Sequence, residues 1–135
     1  MQNYIYKTEL EVRDYECDLQ GIVNNSVYQN YLEHTRHKFL LATGLDFAQL
    51  HKEQIDPVVY RVEIDYKLSL KSGDKFISYL NYERKGHLKT IFNHDIHRKS
   101  DNKLILKAKV IVVILKTGKP ILPDVFFDTF EKYKT

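Results

Sequence analysis

Residues 15–44 constrain the fold most, because the second half of this stretch is typical of one long helix. Apolar and aromatic side chains recur there at i, i+3 and i+4 spacing and form a broad stripe: Val27, Tyr28, Tyr31, Leu32, Phe39 and Leu40. Residues 24–26 offer N-cap side chains, and Gly44 is suited to end the helix. The stretch predicts a long amphipathic helix that buries one side against a larger surface.

The rest of the chain is typical of β-strands separated by turns. The clearest period-two pattern covers residues 58–68, and its apolar positions are expected on one buried face: Val58, Tyr60, Val62, Ile64, Tyr66 and Leu68. Further strands are predicted over residues 4–12, 75–83, 88–98 and 104–115, and short helices over residues 46–52 and in the tail around Val125, Phe126, Phe127 and Phe130. The non-alternating run over residues 110–115 predicts a strand end that is covered on both faces. This order predicts one α+β domain over residues 1–135.

Composition excludes several classes of protein. The chain has 135 residues, of which 43% are hydrophobic and 29% are charged, and this balance argues against disorder. The single cysteine, Cys17, excludes an internal disulfide framework and a multi-cysteine zinc site. Residues 1–12 lack the apolar core of a signal peptide, and no apolar run approaches the length of a membrane span, so a cytoplasmic location is expected. A net charge of +3 fits an anionic small ligand and weak nucleic-acid contact equally well.

The segment before the helix combines a carboxylate with a possible oxyanion site. Asp18 to Gly21 form a short polar stretch directly before the predicted helix start. The first N–H groups of a helix have no intrahelical acceptor and can bind an oxyanion. A carboxylate that attacks a carbonyl or activates water beside such a site is a plausible catalytic arrangement.

These residues resemble the pattern of the 4-hydroxybenzoyl-CoA thioesterase family. The shared pattern runs from Tyr15 through Asp18, Gly21 and Val23, and continues in the helix at Tyr28, Tyr31, Glu33 and Arg36. The predicted order of elements also resembles the hot-dog fold of that family, in which a curled antiparallel sheet wraps one long helix. The motif covers about the first third of the chain, whereas the layout covers nearly all of it.

The resemblance implies hydrolysis of an acyl thioester without a metal or another cofactor. Asp18 would attack the thioester carbonyl or deprotonate the attacking water. The N–H of Asn25 would polarise the carbonyl oxygen, and Gly21 would let the backbone approach the ligand. One departure is that Ile22 stands where a related branch of the family has a histidine, so the role of that histidine does not transfer.

For the substrate, the resemblance implies a coenzyme A or acyl-carrier-protein thioester, whose phosphates need cations. The expected contacts are Arg84, Lys85, Lys89 and Thr90, and Tyr28 is a further candidate. Each has a plainer interpretation: a basic hairpin is often a solvated turn, and a helical tyrosine is more often packing. Likewise, Glu33 and Arg36 have the spacing of a helical ion pair, and Cys17 is better explained by packing than as a nucleophile.

Two alternatives to an active hydrolase remain open. The same fold could serve as an inactive or acyl-carrier-protein-directed acyl-binding protein. A nucleic-acid-binding module could use tyrosines and lysines of the sheet, but no recognisable nucleic-acid motif supports it, and no such partner is expected. Edge strands need cover, so a homodimer or homotetramer is expected, with the site at the boundary between subunits.

Overall fold

The computed structural model describes residues 4–134, so Met1 to Asn3 and Thr135 lie outside the described residues. So does the side chain of Val125. The helices and strands follow in the order β1 (Tyr6–Glu11), α1 (Asn25–Ala42), α2 (Phe47–Lys52), β2 (Ile55–Tyr66), β3 (Lys75–Lys85), β4 (Lys89–Arg98), β5 (Leu104–Lys116), β6 (Lys119–Ile121) and α3 (Asp124–Lys134). A 3₁₀ turn, Asp14–Glu16, lies between β1 and α1.

The described strands form one antiparallel sheet in the order β1-β3-β4-β5-β2, with β6 paired to the end of β5. The four strands after the helices therefore appear as predicted, although β2 crosses over to pair with β5 rather than with β3. The short strand β6 was not predicted, because the turn that contains Pro120 was expected only to end the preceding strand, β5. The predicted hot-dog arrangement, an antiparallel sheet curled around a long helix, is confirmed.

Helix α1 begins and ends close to the predicted positions. Of the three candidate caps, Asn24 is the one used, and its side-chain oxygen accepts a 3.3 Å hydrogen bond from the N–H of Ser26. The stripe predicted from spacing is buried, except for Val27, which is half-buried at the edge of the core. The prediction for α2 is also confirmed, since Asp46 caps its first turn by accepting from the N–H of Gln49.

The face prediction for β2 is wrong in two ways. A bulge at Tyr60 lets Val59 and Arg61 face successive residues of β5, so the alternation predicted for residues 58–68 changes faces there. In addition, β2 is the edge strand and α1 does not cover it, so its apolar side chains remain partly exposed: Val58, Val59, Tyr60, Val62, Tyr66 and Leu68. By contrast, residues 110–115 lie in β5 between two strands and are largely buried, as predicted.

The core lies between α1 and the inner face of the sheet, and α3 closes its far end. Phe126 and Phe130 of α3 are buried, and the ring of Phe130 lies 5.1 Å from that of Phe39. Helix α1 packs on the sheet through Tyr31 and Phe39, which contact Phe76 and Tyr6, and its N-terminus is bonded to Tyr66 of β2. Within residues 4–134, no helix combines the length and the apolar character that crossing a bilayer requires.

Candidate active site

The segment that carries Asp18 is a tight loop closed on itself. Cys17 and Val23 form an antiparallel bridge across its base. The N–H of Asp18 donates to the carbonyl of Ile22 at 2.9 Å, and the N–H of Gly21 donates to the carbonyl of Asp18 at 3.0 Å. Gly21 has φ +80°, a left-handed conformation that costs a residue with a Cβ about 1 kcal/mol or more. The glycine in the motif is therefore explained by the backbone of this loop.

The carboxylate of Asp18 is exposed and only partly engaged. One oxygen, Oδ1, accepts a 2.8 Å hydrogen bond from the N–H of Gln20, which fixes the side chain over its own loop. Among residues 4–134, no donor is hydrogen-bonded to the second oxygen, Oδ2. An oriented carboxylate with one free oxygen is suited to attack an electrophile or to take a proton from water.

Glu16 ties the Asp18 loop to helix α1. Its carbonyl accepts a 3.1 Å hydrogen bond from the N–H of Asn24, the helix cap. Its carboxylate accepts from the N–H of Arg13 at 2.8 Å and from the hydroxyl of Tyr31 at 2.9 Å. Tyr31 is buried, and burial, followed by the hydrogen bond to Glu16, raises the pKa of its phenol, so it remains a donor at neutral pH. The sequence analysis missed this link, because no spacing rule connects residues fifteen positions apart.

The N-terminus of α1 stands next to this loop. Because Asn24 uses its side chain for Ser26, the N–H of Asn25 keeps no hydrogen-bond partner among the described residues. The carbonyl of Asn25 accepts a 3.4 Å hydrogen bond from the hydroxyl of Tyr66, which anchors the helix start to the end of β2. The loop also binds the following segment, since the N–H of Val23 donates to the carbonyl of Leu70. Asp18 and the free N–H of Asn25 thus belong to one rigid unit.

Tyr28, a candidate for substrate contact, lies in the core. It is 2% exposed, and its hydroxyl accepts a hydrogen bond from the N–H of Leu70 at 3.0 Å. Burial raises the pKa of this phenol. Its ring lies 5.5 Å from the ring of Tyr66. The packing interpretation therefore accounts for Tyr28, although Tyr66 next to it is half-exposed at the mouth of the site.

The expected ion pair between Glu33 and Arg36 is wrong. Glu33 points outward and lies 3.9 Å from His37, whereas Arg36 is buried against the sheet. There, Nη1 of Arg36 contacts Nε2 of His94 on β4 at 3.3 Å. The spacing rule failed because Arg36 lies on the core-facing side of the helix. The alternation Phe92, His94, Ile96 could have shown that His94 points inward.

The four basic-turn candidates do not converge on one face. Lys85 and Lys89 are cross-strand partners on the outer face of the sheet, and the ammonium group of Lys89 lies 4.7 Å from the centre of the Tyr60 ring. Arg84 and Thr90 form the next pair, which faces inward. Arg84 bonds Asp124 at 2.5 Å and stacks over a ring of α3, while Thr90 is buried and its hydroxyl has no hydrogen-bond partner among the described residues. Only Lys85 and Lys89 are thus placed for a ligand on the outer surface.

Asp18 and Lys89 lie at opposite ends of the sheet in one chain. The Asp18 loop forms a bridge from Ile22 to Lys71, past the end of β2, and the helix start that follows the loop is bonded to Tyr66. Lys89 pairs with Val113, which in turn pairs with Val58 near the start of β2. Eight residues of strand separate Val58 from Tyr66, which corresponds to about 27 Å. One chain therefore does not bring its carboxylate and its outer-face lysines to the same ligand.

Apolar side chains around the Asp18 loop lack cover. Leu19 is fully exposed, and Tyr15 is 75% exposed, with its hydroxyl accepting from Arg13 at 2.6 Å. Cys17 is half-buried at the loop base and joins the core packing. Tyr15 and Leu19 thus leave apolar surface exposed beside the carboxylate of Asp18.

Comparison with known proteins reveals relatives over most of the chain. The Thioesterase-like superfamily matches residues 12–128. The acyl-acyl carrier protein thioesterase ATL3, chloroplastic, of Arabidopsis thaliana is 34% identical over 110 residues, which are 82% of this chain and 58% of that protein. The chain therefore spans less than two thirds of the length of that relative.

Two further matches extend over nearly the full length of both proteins. The putative acyl-CoA thioesterase YneP of Bacillus subtilis is 28% identical over 97% of this chain and 99% of its own length. The crystal structure of a hypothetical protein from Aquifex aeolicus superposes with a TM-score of 0.85 at 25% identity, covering 93% of this chain and 98% of that one.

Proposed function

The chain belongs to the Thioesterase-like superfamily, and from that premise we propose that it hydrolyses an acyl thioester to a free acid and a thiol. The observation that carries the proposal is the rigid unit formed by the Asp18 loop and the first turn of α1. It offers a carboxylate with a free oxygen beside a helix-start N–H that has no acceptor among the described residues. Thioester hydrolysis needs these two features together.

In this reaction Asp18 acts in one of two ways. As a nucleophile, its free oxygen adds to the thioester carbon, the thiolate leaves, and water cleaves the resulting mixed anhydride to the acid. As a general base, it takes a proton from water, the hydroxide adds to the carbonyl, the carbon–sulfur bond breaks, and the departing thiolate takes that proton from Asp18. In both routes the negative charge on the carbonyl oxygen is stabilised by the N–H of Asn25 and the positive end of α1. Neither route calls on a metal or another cofactor.

Two copies of this chain are needed to complete the site. The long edge strand β2 exposes backbone groups and apolar side chains, which a second copy would cover. Antiparallel pairing of two β2 strands about a two-fold axis brings the Lys89 end of one chain to the Asp18 loop of the other. The lysines at positions 85 and 89 would then meet the phosphates of the thiol carrier. A homodimer is the smallest assembly that meets this requirement, and a homotetramer meets it as well.

The thiol carrier of the substrate is coenzyme A in this proposal. The two lysines suit its phosphates, and YneP, which matches this chain over its full length, bears an acyl-CoA name. Acyl carrier protein is the second candidate, because the relative with higher identity is named for that substrate. A catalytically inactive acyl-binding protein is the alternative function, and an assay that detects thioester hydrolysis would exclude it. The cytoplasmic location expected from the sequence stays a prediction.

Replacing Asp18 tests the proposal. Asp18→Asn keeps the size of the side chain and removes the charge, so hydrolysis of acyl-CoA thioesters should fall by about a hundredfold or more. Asp46→Asn is a matched control, since Asp46 also precedes a helix and also accepts from a nearby backbone N–H. The assay follows thiol release from a panel running from acetyl to palmitoyl and including benzoyl types, on coenzyme A and on acyl carrier protein. Equal rates in Asp18→Asn and wild type would refute the assignment of Asp18.

A further inference from the structure

Arg36 is a buried cation that lacks an anionic partner within the described residues. It is 9% exposed, and its hydrogen-bond partner there is the imidazole of His94, which is 1% exposed. Burial lowers the pKa of Arg36 to about 10, so it remains charged at neutral pH. Buried charges in proteins are normally paired, because an uncompensated one costs several kcal/mol. A group that supplies a negative charge or an acceptor oxygen would therefore stabilise Arg36.

The arrangement of the two side chains defines what kind of group they can bind. Burial and the nearby guanidinium hold the pKa of His94 well below its ordinary value, so the ring is neutral. A guanidinium can only donate, so Nε2 of His94 accepts from Arg36, and the ring proton lies on Nδ1. That N–H has no hydrogen-bond partner among the described residues. The pair thus presents unused donors, and the group that fits them is an acceptor such as a hydroxyl, carbonyl or carboxylate oxygen.

Arg36 lies on the side of α1 that faces the open edge of the sheet. The neighbouring Thr35 donates to Ser78 on β3, whereas Arg36 reaches β4, one strand closer to β2. His94 pairs with Ala108 on β5, and Ala108 pairs with Ile64 on β2. The inner face of β2 is open there, with Val62 36% exposed and Tyr66 45% exposed. We call the exposed inner face of β2 formed by Val62, Ile64 and Tyr66 the β2 trough.

The β2 trough begins beside the proposed reaction centre, and its middle residue, Ile64, is level with His94 across β5. Tyr66 at its mouth bonds the carbonyl of Asn25, whose N–H is the proposed oxyanion donor. Arg36 follows Asn25 by eleven residues, which is three turns plus about 20°, so the two lie on one side of the helix. The separation along the axis is about 16 Å, and the arginine side chain leans back toward the helix start. An acyl chain bound at Asn25 and lying in the trough would bring its far end to the Arg36–His94 pair.

We propose that the Arg36–His94 pair selects acyl groups that carry an oxygen function at the end remote from the thioester, such as a terminal hydroxyl or carboxyl group. This inference rests on the proposed thioesterase function. Arg36 and His94 would be specificity-determining residues that do not take part in bond cleavage. An acyl chain without that oxygen would leave both donors unpaired, and this loss weakens its binding in the transition state.

The test compares CoA thioesters that differ only at the far end of the acyl group. Octanoyl, decanoyl and dodecanoyl thioesters are each assayed plain, with a terminal hydroxyl group and with a terminal carboxyl group. For at least one length, kcat/KM of the oxygen-bearing thioester should exceed that of the plain one by about tenfold or more. Arg36→Met should bring this ratio to about one, and Arg36→Lys should leave an intermediate ratio, because a lysine keeps the charge but loses the planar fork. Thr35→Val, which removes a buried hydroxyl bonded to β3, should keep the wild-type ratio.

Two results would overturn this inference. One is a wild-type ratio at or below one for every length, which would mean that Arg36 finds its acceptor within the assembled protein, for instance in a second copy. The other is a ratio that Arg36→Met leaves unchanged. If Arg36→Met fails to fold, the inference is tested by the kcat/KM ratios of the wild type and of Arg36→Lys, and equal ratios in these two proteins would overturn it.

A binding measurement separates this inference from the hydrolase proposal. If no thioester is cleaved, the proposed activity is wrong, and calorimetry with the corresponding free acids then tests Arg36 alone. Tighter binding of the acids with a second terminal oxygen function, lost in Arg36→Met, would support the selectivity. Equal binding of plain and oxygen-bearing acids would overturn it.

Discussion

The hydroxyl of Tyr31, in the middle of α1, donates a 2.9 Å hydrogen bond to the carboxylate of Glu16, two residues before Asp18. This bond joins the rigid helix to the loop whose position the proposed chemistry depends on. Glu16 also accepts from the N–H of Asn24 through its carbonyl, so the loop is held at two points. The orientation of Asp18 is therefore set from within the helix–sheet core.

Tyr31→Phe should lower kcat by about tenfold, because a loosened loop misplaces the carboxylate while substrate contacts remain. KM should change little. Tyr82→Phe is a matched control, since the hydroxyl of Tyr82 also donates to a glutamate, Glu131, at 2.7 Å, but at the far end of the fold. Both variants should lower Tm by only a few degrees. Equal losses of kcat in the two variants would show that Tyr31 acts through general stability and not through the loop.

Gly21→Ala should lower both stability and activity. Gly21 and Gly118 share φ +80°, and no atom lies within 4 Å of an added Cβ at either position, so backbone strain is the only expected cost in stability. That cost is about 1 kcal/mol in each case, measurable by denaturant unfolding. Only Gly21→Ala should also reduce kcat, because its loop carries Asp18, whereas Gly118 lies in the turn before β6. A similar fall of kcat in Gly118→Ala would argue against a special role of the Asp18 loop.

The sequence predicted those parts of the fold that depend on local pattern. The spacing of the apolar residues in α1 and the side chain of Asp46 were enough to predict both helices. The β2 face was mispredicted because a bulge at Tyr60 leaves no periodic signal, and because alternation does not show which strand lies at the sheet edge. The prediction of a single domain over residues 1–135 stays a prediction.

The site was predicted only as far as the motif reaches. Asp18, Gly21 and Asn25 come together because they are close in sequence. The basic residues split between two faces, because neighbours along a strand alternate and Arg84 found an ion pair on α3. Contacts between distant residues, such as Arg36 with His94, depend on how α1 is placed over the sheet. Their roles, like those of Asp18 and Asn25, remain proposals for experiment.

Stability should fall as pH falls below about 6.5, in part through His94. The folded protein disfavours the protonated ring, because burial and Arg36 lower its pKa, whereas an unfolded chain protonates it near pH 6.5. The unfolded state therefore binds more protons in this range. The contribution of His94 to the free energy of unfolding is complete above pH 6.5, and it decreases as the pH falls toward the pKa of His94 in the folded protein. His94→Gln should flatten the slope between pH 7 and pH 5, measured by denaturant unfolding. The exposed His87→Gln should keep the wild-type slope, and an unchanged slope in His94→Gln would contradict this prediction.

Mixed dimers should recover activity that neither parent shows. About 27 Å of β2 separates its Tyr66 end, next to the helix start, from its Val58 end, which is level with Lys89, so the proposed site takes Asp18 from one copy and Lys89 from the other. Asp18→Ala and Lys89→Glu should each be nearly inactive alone. In an equal mixture with free exchange, half of the dimers are hybrids, and one of the two sites in each hybrid is intact. About one quarter of wild-type activity should therefore return.

A site built within one chain gives the opposite result, because every subunit of the mixture then carries one lesion and no activity returns. Mixing Asp18→Ala with wild type is the control, and it should give about half of wild-type activity under either arrangement. Exchange is followed by native mass spectrometry of chains of different mass. Full activity in a protein that is monomeric at micromolar concentration would refute the shared site. If Lys89→Glu alone keeps wild-type activity, the lysine does not bind the carrier. A second copy would then cover the exposed edge of β2 without sharing the substrate.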